Sequence, residues 1–360
     1  MHILALTALI ALVQPLAGAQ TPVPIQLKAP DARLAEEFTN LTSLREISGG
    51  RAIVTDRKDE RLALADFTRG AVRSLSRRGN GPGEYGDLGP VIRLTRDSSL
   101  VVDVGNLRWL ILVADSITAT VPPDNPAVRA VTFWVPFGSD RSGNLLSMRF
   151  RPNARTSATT DSVDLTRVSR STGRIEVIDA LRYGVPTRGI NNPTIGSEGE
   201  LRVTRPPYNI REEQPVLFED GWIAIARYEP YRVDWISPTG QMVRGAPLPG
   251  RPVPMSARER QAYIDRKPAY ASAREWPAHV PPFDKSFPLL ASPDGWLVIP
   301  RVPSADYPNP RYDFVDRAGV LRGQLTLPTT SRLLAFGEKS AYVVVTDGDG
   351  IERLQRHPWP

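Results

Sequence analysis

The stretch Asp220 to Gly240, DGWIAIARYEPYRVDWISPTG, is written a second time at Asp294 to Gly319, DGWLVIPRVPSADYPNPRYDFVDRAG, with a longer middle. Each copy opens on an Asp-Gly turn and a Trp, runs through a β-rich segment to Arg227 or Arg301, and restarts at Arg232 or Arg311. An Asp follows two places on, Asp234 or Asp313. Two strands joined by a loop, recurring 74 residues apart from Gly221 to Gly295, mark a chain built from repeated sheet units.

The rest of the chain breaks into units of the same kind. Leu44 to Asp56 predicts two strands about the Gly49-Gly50 turn; Arg61 to Phe67 and Ala71 to Ser76 add a third and a fourth. A second unit runs from Val91 through the Asp97-Ser98-Ser99 turn to Asp103 and Trp109–Ala114, with Asp103 lying 47 residues after Asp56. A third begins at Val131–Val135, turns at Gly143 and continues through Leu145–Arg149, Val163–Val168 and Ile175–Ile178. The two DGW copies are the fourth and fifth. The sixth starts at Leu333, runs through Ala341–Asp347, and has too little chain left for a fourth strand. Pro24–Leu27, at the other end, is a strand without a unit, so the economical solution is that the N-terminal strand completes the sixth sheet and hides two unpaired edges. Six units over about 340 residues, roughly 57 each, suit four-stranded propeller blades. Pro252–Pro288, between units four and five, contains the one credible helix: Ser256 caps it, Glu259 completes a capping box and Pro268 stops it. Arg182–Gln214, rich in Pro, Gly and Asn, reads as an irregular insertion.

Residues 1–19 carry the pattern of an export signal. The apolar run Ile3–Val13 is too short to span a bilayer, and Ala17-Gly18-Ala19 supplies the small residues of a cleavage site. Residues 20–360 are then one periplasmic or secreted domain with no stable membrane insertion, expected to be monomeric. The absence of cysteine excludes a disulfide scaffold, a thiolate metal site and a Cys nucleophile. The formal charge of +6 is spread, mostly as Arg among acids, with no Lys/Arg tract, which argues against a nucleic-acid partner.

Two segments carry a family resemblance. Arg77-Arg78-Gly79-Asn80-Gly81-Pro82-Gly83-Glu84-Tyr85 resembles the R-x-G-x-G-P-G-E-aromatic link of bacterial six-bladed β-propellers of the NHL-like (TolB-like) kind. Val101-Val102-Asp103-Val104-Gly105-Asn106-Leu107-Arg108 is similar to the NHL signature V-x-D-x-x-N-x-R at every fixed position. The resemblance implies a propeller that binds proteins, peptides or polysaccharide-like ligands outside the cytoplasm. It also implies kinship of fold with lactonases and gluconolactonases that hold a divalent metal in the channel.

The Asp closing the second strand recurs as Asp56, Asp103 and Asp347, and Arg227 and Arg301 stand in its place in units four and five. One reading is a ring of charge about one channel mouth, with Glu84 from the link on the same face, focusing an acidic or zwitterionic ligand. The other is local: Asp56 pairs with Arg61 and Asp103 with Arg108, or the Asp side chains bond loop amides. Gly81-Pro82-Gly83 lacks the following helix of an anion loop and reads as an interblade turn. Asp347-Gly348-Asp349-Gly350 reads as a hairpin turn, short of the further acids a calcium loop needs. With only His279 and His357 beyond the leader, a Ser-His-Asp triad or a multi-His zinc site does not fit. Trp109, Trp134, Trp222, Trp235 and Trp296 lie among aliphatics and read as packing between blades, while Trp276, near His279, is the Trp to watch as a ligand contact.

The expectation is an all-β, six-bladed propeller of four-stranded antiparallel blades, closed by the N-terminal strand. It would bind an unassigned protein, peptide or glycan at one channel mouth, through Arg227, Arg301, Glu84, Asp56 and Asp103 and without a cofactor. The alternative is a metal-dependent lactonase-like hydrolase with a calcium or zinc ion in the channel.

Overall fold

The computed structural model describes residues 22–360 apart from 132–134, 151–161, 183–193, 196–200, 203–212, 251, 272, 274–275 and 284–287. The expected leader 1–19, Trp134 and most of the 182–214 insertion lie outside the described residues. Six sheets form six blades, each of at least four strands. Blade one is Leu41–Ile47, Arg51–Asp56, Arg61–Asp66 and Ala71–Ser74, and the next four follow in chain order from Leu88, Gly138, Gln214 and Leu290.

The apolar runs make sense once both faces of each blade are seen to be covered. Within Ala52-Ile53-Val54, Ile53 points into a cluster with Val91, Val101 and Leu110 of blade two. Its neighbours Ala52 and Val54 point the other way, toward Tyr342 and Val344 of blade six. Alternation with period two sends successive side chains to opposite faces, so a strand between two neighbours has no polar side. Each of the six interblade gaps holds one such cluster. Trp109 fills the gap between blades two and three, Trp235 and Trp222 that between four and five, and Trp296 that between five and six. Burying each aliphatic side chain there stabilises by roughly 1.5–3 kcal/mol, which is how a chain without disulfides holds together.

The ring closes through the N-terminal segment, but with a different strand from the one expected. Ala32–Arg33 pairs antiparallel with Glu352–Pro358 and is the outer strand of blade six. Val23–Ile25 instead lies parallel to the outer strand of blade five as its fifth member, Ile25 opposite Leu325. At the other terminus Trp359 stacks on Phe314 of blade five and donates from Nε1 to Asp294 at 2.7 Å. Both chain ends therefore bridge blades five and six.

Blade three also departs from expectation. Its innermost strand is Gly138–Ser139, and a short helix, Pro126–Ala130, precedes it, with the Asn125 side chain accepting from the Ala127 amide. The expected helix is present at Ala257–Arg266, where the Ser256 hydroxyl accepts from the Glu259 amide. The reciprocal half of the box is not made, because the buried Glu259 carboxylate accepts from the Ala305 amide at 2.9 Å and ties the insertion to blade five. Two two-residue strands, Val253–Pro254 and His279–Val280, close the insertion at its base.

Candidate ligand-binding site

The strands of each blade run alternately between two faces of the ring. The turns after the first strands gather on one face, and the ends of the second strands on the other. Asp56, Asp103, Arg227, Arg301 and Glu84 all belong to the second face, yet they do not converge on one site.

Asp56, 1% exposed, accepts from the amides of Thr39, Asn40, Lys58 and Asp59 at 2.7–3.2 Å, while Arg61 pairs with Glu36. Asp103 is fully buried and takes four donors: the Gly86 amide (2.9 Å), the Asn106 amide (3.2 Å), Asn106 Nδ2 (2.8 Å) and Arg108 Nε (2.9 Å). Arg108 spends its remaining nitrogens on the carbonyls of Asn80, Gly81 and Glu84, and Asn106 reaches Gly79 O. The signature Asp-x-x-Asn-x-Arg is therefore a clamp on the Gly-Pro-Gly-Glu link. Gly105 belongs to the same device, since a Cβ there would lie 2.7 Å from the Gly86 carbonyl carbon. Glu84 closes the link on itself: it accepts from the Gly81 amide and Arg77 Nε, and these two bonds hold its carboxyl below the usual range.

Arg227 is 9% exposed and meets three carboxylates, Asp234 (3.0 Å), Asp179 (2.7 Å) and Glu213. Burial works against its charge, but Glu213 and Asp179 outweigh it and push the guanidinium above its ordinary value. Asp234 in turn holds Arg232 through both oxygens. Burial raises the Asp234 carboxyl, and Arg232 and Arg227 outweigh that, leaving it below the usual carboxylate range. A carboxylate depressed in the folded state contributes stability above its unfolded value of about 4, and that contribution is lost as pH falls through the folded value. Calorimetry from about pH 5 down to 2 is therefore expected to show a melting temperature that falls less steeply in Asp234→Asn than in the parent. Equal slopes would remove Asp234 from the acid response.

Arg301 faces a different setting. It donates from Nη1 to Asp313 at 2.8 Å and lies 4.9 Å from the ring centre of Tyr231, whose hydroxyl donates to the same carboxylate. It also lines a cavity of about 510 Å³ between blades four and five and the insertion. Trp276 does not line that cavity: it meets Tyr263 edge-on at 5.6 Å and donates to Ala273 O, packing the insertion's own small core. Asp347-Gly348-Asp349-Gly350 forms the expected hairpin, with Asp347 accepting from the Asp349 and Ile351 amides.

A second, more open cavity lies on the opposite face, where sequence reasoning did not place it. About 850 Å³ opens on the axis and is lined by all six blades: Leu44–Gly50, Arg93 with Arg96, Arg141, Phe218–Asp220, Ala291–Pro293 and Phe336–Glu338. Charge here is arranged as bridges across blades. Glu219 of blade four meets both Arg93 and Arg141 (3.5 Å), Arg96 meets Glu338 at 3.9 Å, and Arg317 meets Asp220 at 2.6 Å. Arg141 and Arg96 are 77% and 76% exposed, so their pairs are worth about 0–1 kcal/mol and exchange readily for a ligand's groups. Arg45 sits at the wall, its Nη2 donating to the Thr95 and Arg96 carbonyls; burial and then Arg93 pull it down to about 10. No signal in the chain announces this mouth, because its residues come from six turns of unrelated composition. Among the described residues, no group of three or more His, Asp or Glu side chains is placed to hold a metal ion, so the carboxylate set of a lactonase-type centre is not assembled there.

No family model matches the chain, and no curated protein does. Among solved structures it is similar to a putative exported protein from Bacteroides fragilis, with 10% identity, 94% of this chain and 93% of that one covered, and a TM-score of 0.48. It is also similar to the calcium-binding protein regucalcin from Agrobacterium tumefaciens (10% identity, 92% and 96% covered, TM-score 0.40). A third likeness is to virginiamycin B lyase from Staphylococcus aureus (10% identity, 91% and 98% covered, TM-score 0.41). At such values nothing of those proteins' ligands or activities passes to this chain.

Proposed function

We propose that this six-bladed β-propeller is an exported binding module, acting in the periplasm or after secretion, that takes a polar ligand into the axial cavity. The observation that carries this reading is a concavity of about 850 Å³ whose rim of Arg and Glu side chains comes from separate blades. A ligand there touches several blades at once, and a mouth lined with charge and walled by protein concentrates polar solutes. Glu219, shared between Arg93 and Arg141, gives the rim both signs within a few ångströms, which favours a ligand with polar groups of both kinds, such as a short peptide or a glycan.

Native mass spectrometry of the purified full chain against panels of oligosaccharides and short peptides tests the reading. Retention of one class is expected, with Ser48→Trp, which puts an indole at the cavity wall, weakening it about tenfold or more, or 1.4 kcal/mol. No retention of either class, or retention indifferent to Ser48→Trp, overturns it. Chelator-sensitive turnover of a lactone panel would favour the hydrolase instead.

A further inference from the structure

Blades four and five are built from the same repeated unit, but their charges are not balanced alike. In blade four Arg227 and Arg232 stand directly opposite each other across adjacent strands, and in blade five Arg301 and Arg311 occupy the same register. Like charges directly opposite on a sheet repel and need a counter-charge. Three carboxylates surround the pair in blade four, Asp234 of the blade itself, Glu213 just before its first strand and Asp179 from the outer strand of blade three, and Asp234 grips both arginines. In blade five Asp313 binds Arg301 with one oxygen while its other accepts from Gln324 Nε2 at 2.7 Å. Gln324 thus takes the place that the second arginine holds in blade four.

The Arg311 side chain is left without a hydrogen bond or ion pair among the described residues, stacking on Tyr307 at 4.0 Å. Nε of Arg301 and Nε of Arg311 are both buried with no acceptor. Burial, with Arg301 opposite, pulls the Arg311 guanidinium below its ordinary value. Both arginines line the cavity of about 510 Å³ beneath the insertion. Its other walls include Tyr228, Tyr231 and Val280, an aromatic and aliphatic surface beside the charge. Glu229 on the wall is exposed and pairs with neither arginine, and His279 is exposed at the rim.

We propose that Arg301 and Arg311 form a binding site for an organic carboxylate with an apolar body, its anionic head supplying the counter-charge that blade five lacks. The head meets the terminal nitrogens of Arg311, and the body lies against the two tyrosines. A guanidinium holding a carboxylate in a partly dry cavity makes charge-assisted hydrogen bonds of the strong kind. The longer loop of this unit, residues 302–310, and the insertion together wall the space that blade four does not have. The site is independent of the axial cavity and stands or falls apart from it.

Thermal shift and isothermal titration of the full chain with benzoate, phenylacetate and hexanoate test it, with acetate and benzyl alcohol as head-only and body-only controls. Saturable binding of at least one long carboxylate is expected, tighter than both controls. Arg311→Gln should weaken it about tenfold to a hundredfold, Arg232→Gln in blade four should not, and Arg311→Lys should keep part of it. Without ligand Arg311→Gln should melt close to the parent, because the repulsion it removes offsets the lost stack on Tyr307 and no hydrogen bond or ion pair goes with it. Should that variant not fold, protection of Arg311 from phenylglyoxal by phenylacetate, and not by benzyl alcohol, reads the same contact in the unaltered chain. No binding of any of the three acids, or binding and protection indifferent to Arg311, overturns the proposal.

Discussion

Asp103→Ala is expected to cost the propeller about 3–5 kcal/mol, the loss typical of removing one partner of a buried pair. The carboxylate is fully buried and collects donors from the link (the Gly86 amide) and from the turn that follows it (Asn106 and Arg108). Without it Arg108, whose side chain is 13% exposed, keeps three carbonyls but loses its counter-charge in a dry place. Two orphaned amides add to the loss, since a buried donor left unmade costs about 1–3 kcal/mol. Asp103→Ala with Arg108→Met should recover part of the deficit, because the two sites share one network. Urea unfolding of the two single variants and the double gives the coupling directly. A loss below about 1 kcal/mol would show that the signature does not hold the link, and would return Asp103 to the candidates for ligand capture.

That outcome bears on what a chain like this discloses before it is folded. The repeated DGW unit with its Asp-Gly turns and the Ser256 cap were local signals, and the strand pairs of blades four and five and the start of the helix lie where they predicted them. The N-terminal closure was right in principle and displaced in sequence, because Ala32–Arg33 is two residues long and has no pattern of its own. It pairs because the edge of Glu352–Pro358 is there to be paired. Just before the expected strand Val131–Val135, whose residues 132–134 lie outside the described residues, a start signal went unread: Asn125 followed by Pro126 at the first helical position, which opens the helix Pro126–Ala130.

The charged residues were harder to read for a plainer reason. No acid stands five places from Arg227 as Arg61 stands from Asp56, yet Asp234 lies diagonally across the hairpin and Asp179 and Glu213 arrive from 48 and 14 residues away. Counter-charges of that kind are set by the packing of blades, which no spacing along the chain records. Arg301 was harder still, since its carboxylate Asp313 is separated from it by the long loop of the unit. In space one arginine pair is neutralised and the other is short of carboxylate, a distinction the sequence held only as two copies with unequal middles.

The seam of the ring offers the second large effect. Phe38→Ala is expected to destabilise by about 3–5 kcal/mol, the range for truncating a fully buried aromatic. Phe38 is 1% exposed and sits in the cluster where blades one and six meet, with Leu34, Leu41, Leu44, Tyr342 and Leu354. Its backbone exchanges two hydrogen bonds with Glu352, N to O at 2.9 Å and O from N at 2.8 Å. The Glu352 carboxylate then accepts from the Leu41 amide, and Arg332 binds both that carboxylate and Leu41 O. This seam joins residues some three hundred positions apart, so little else in the chain compensates when it loosens. Loss of the ring should therefore appear first as local opening. Amide exchange is expected to accelerate in Leu41–Ile47 and Ser331–Phe336 well before it does in Ile223–Arg227 of blade four. Trp235→Ala, fully buried in the gap between blades four and five, is the matched control, with a comparable total loss but no selective opening at the seam. Uniform acceleration in Phe38→Ala, or a loss below about 1 kcal/mol, would mean that closure rests on the paired backbones and not on the packed side chain.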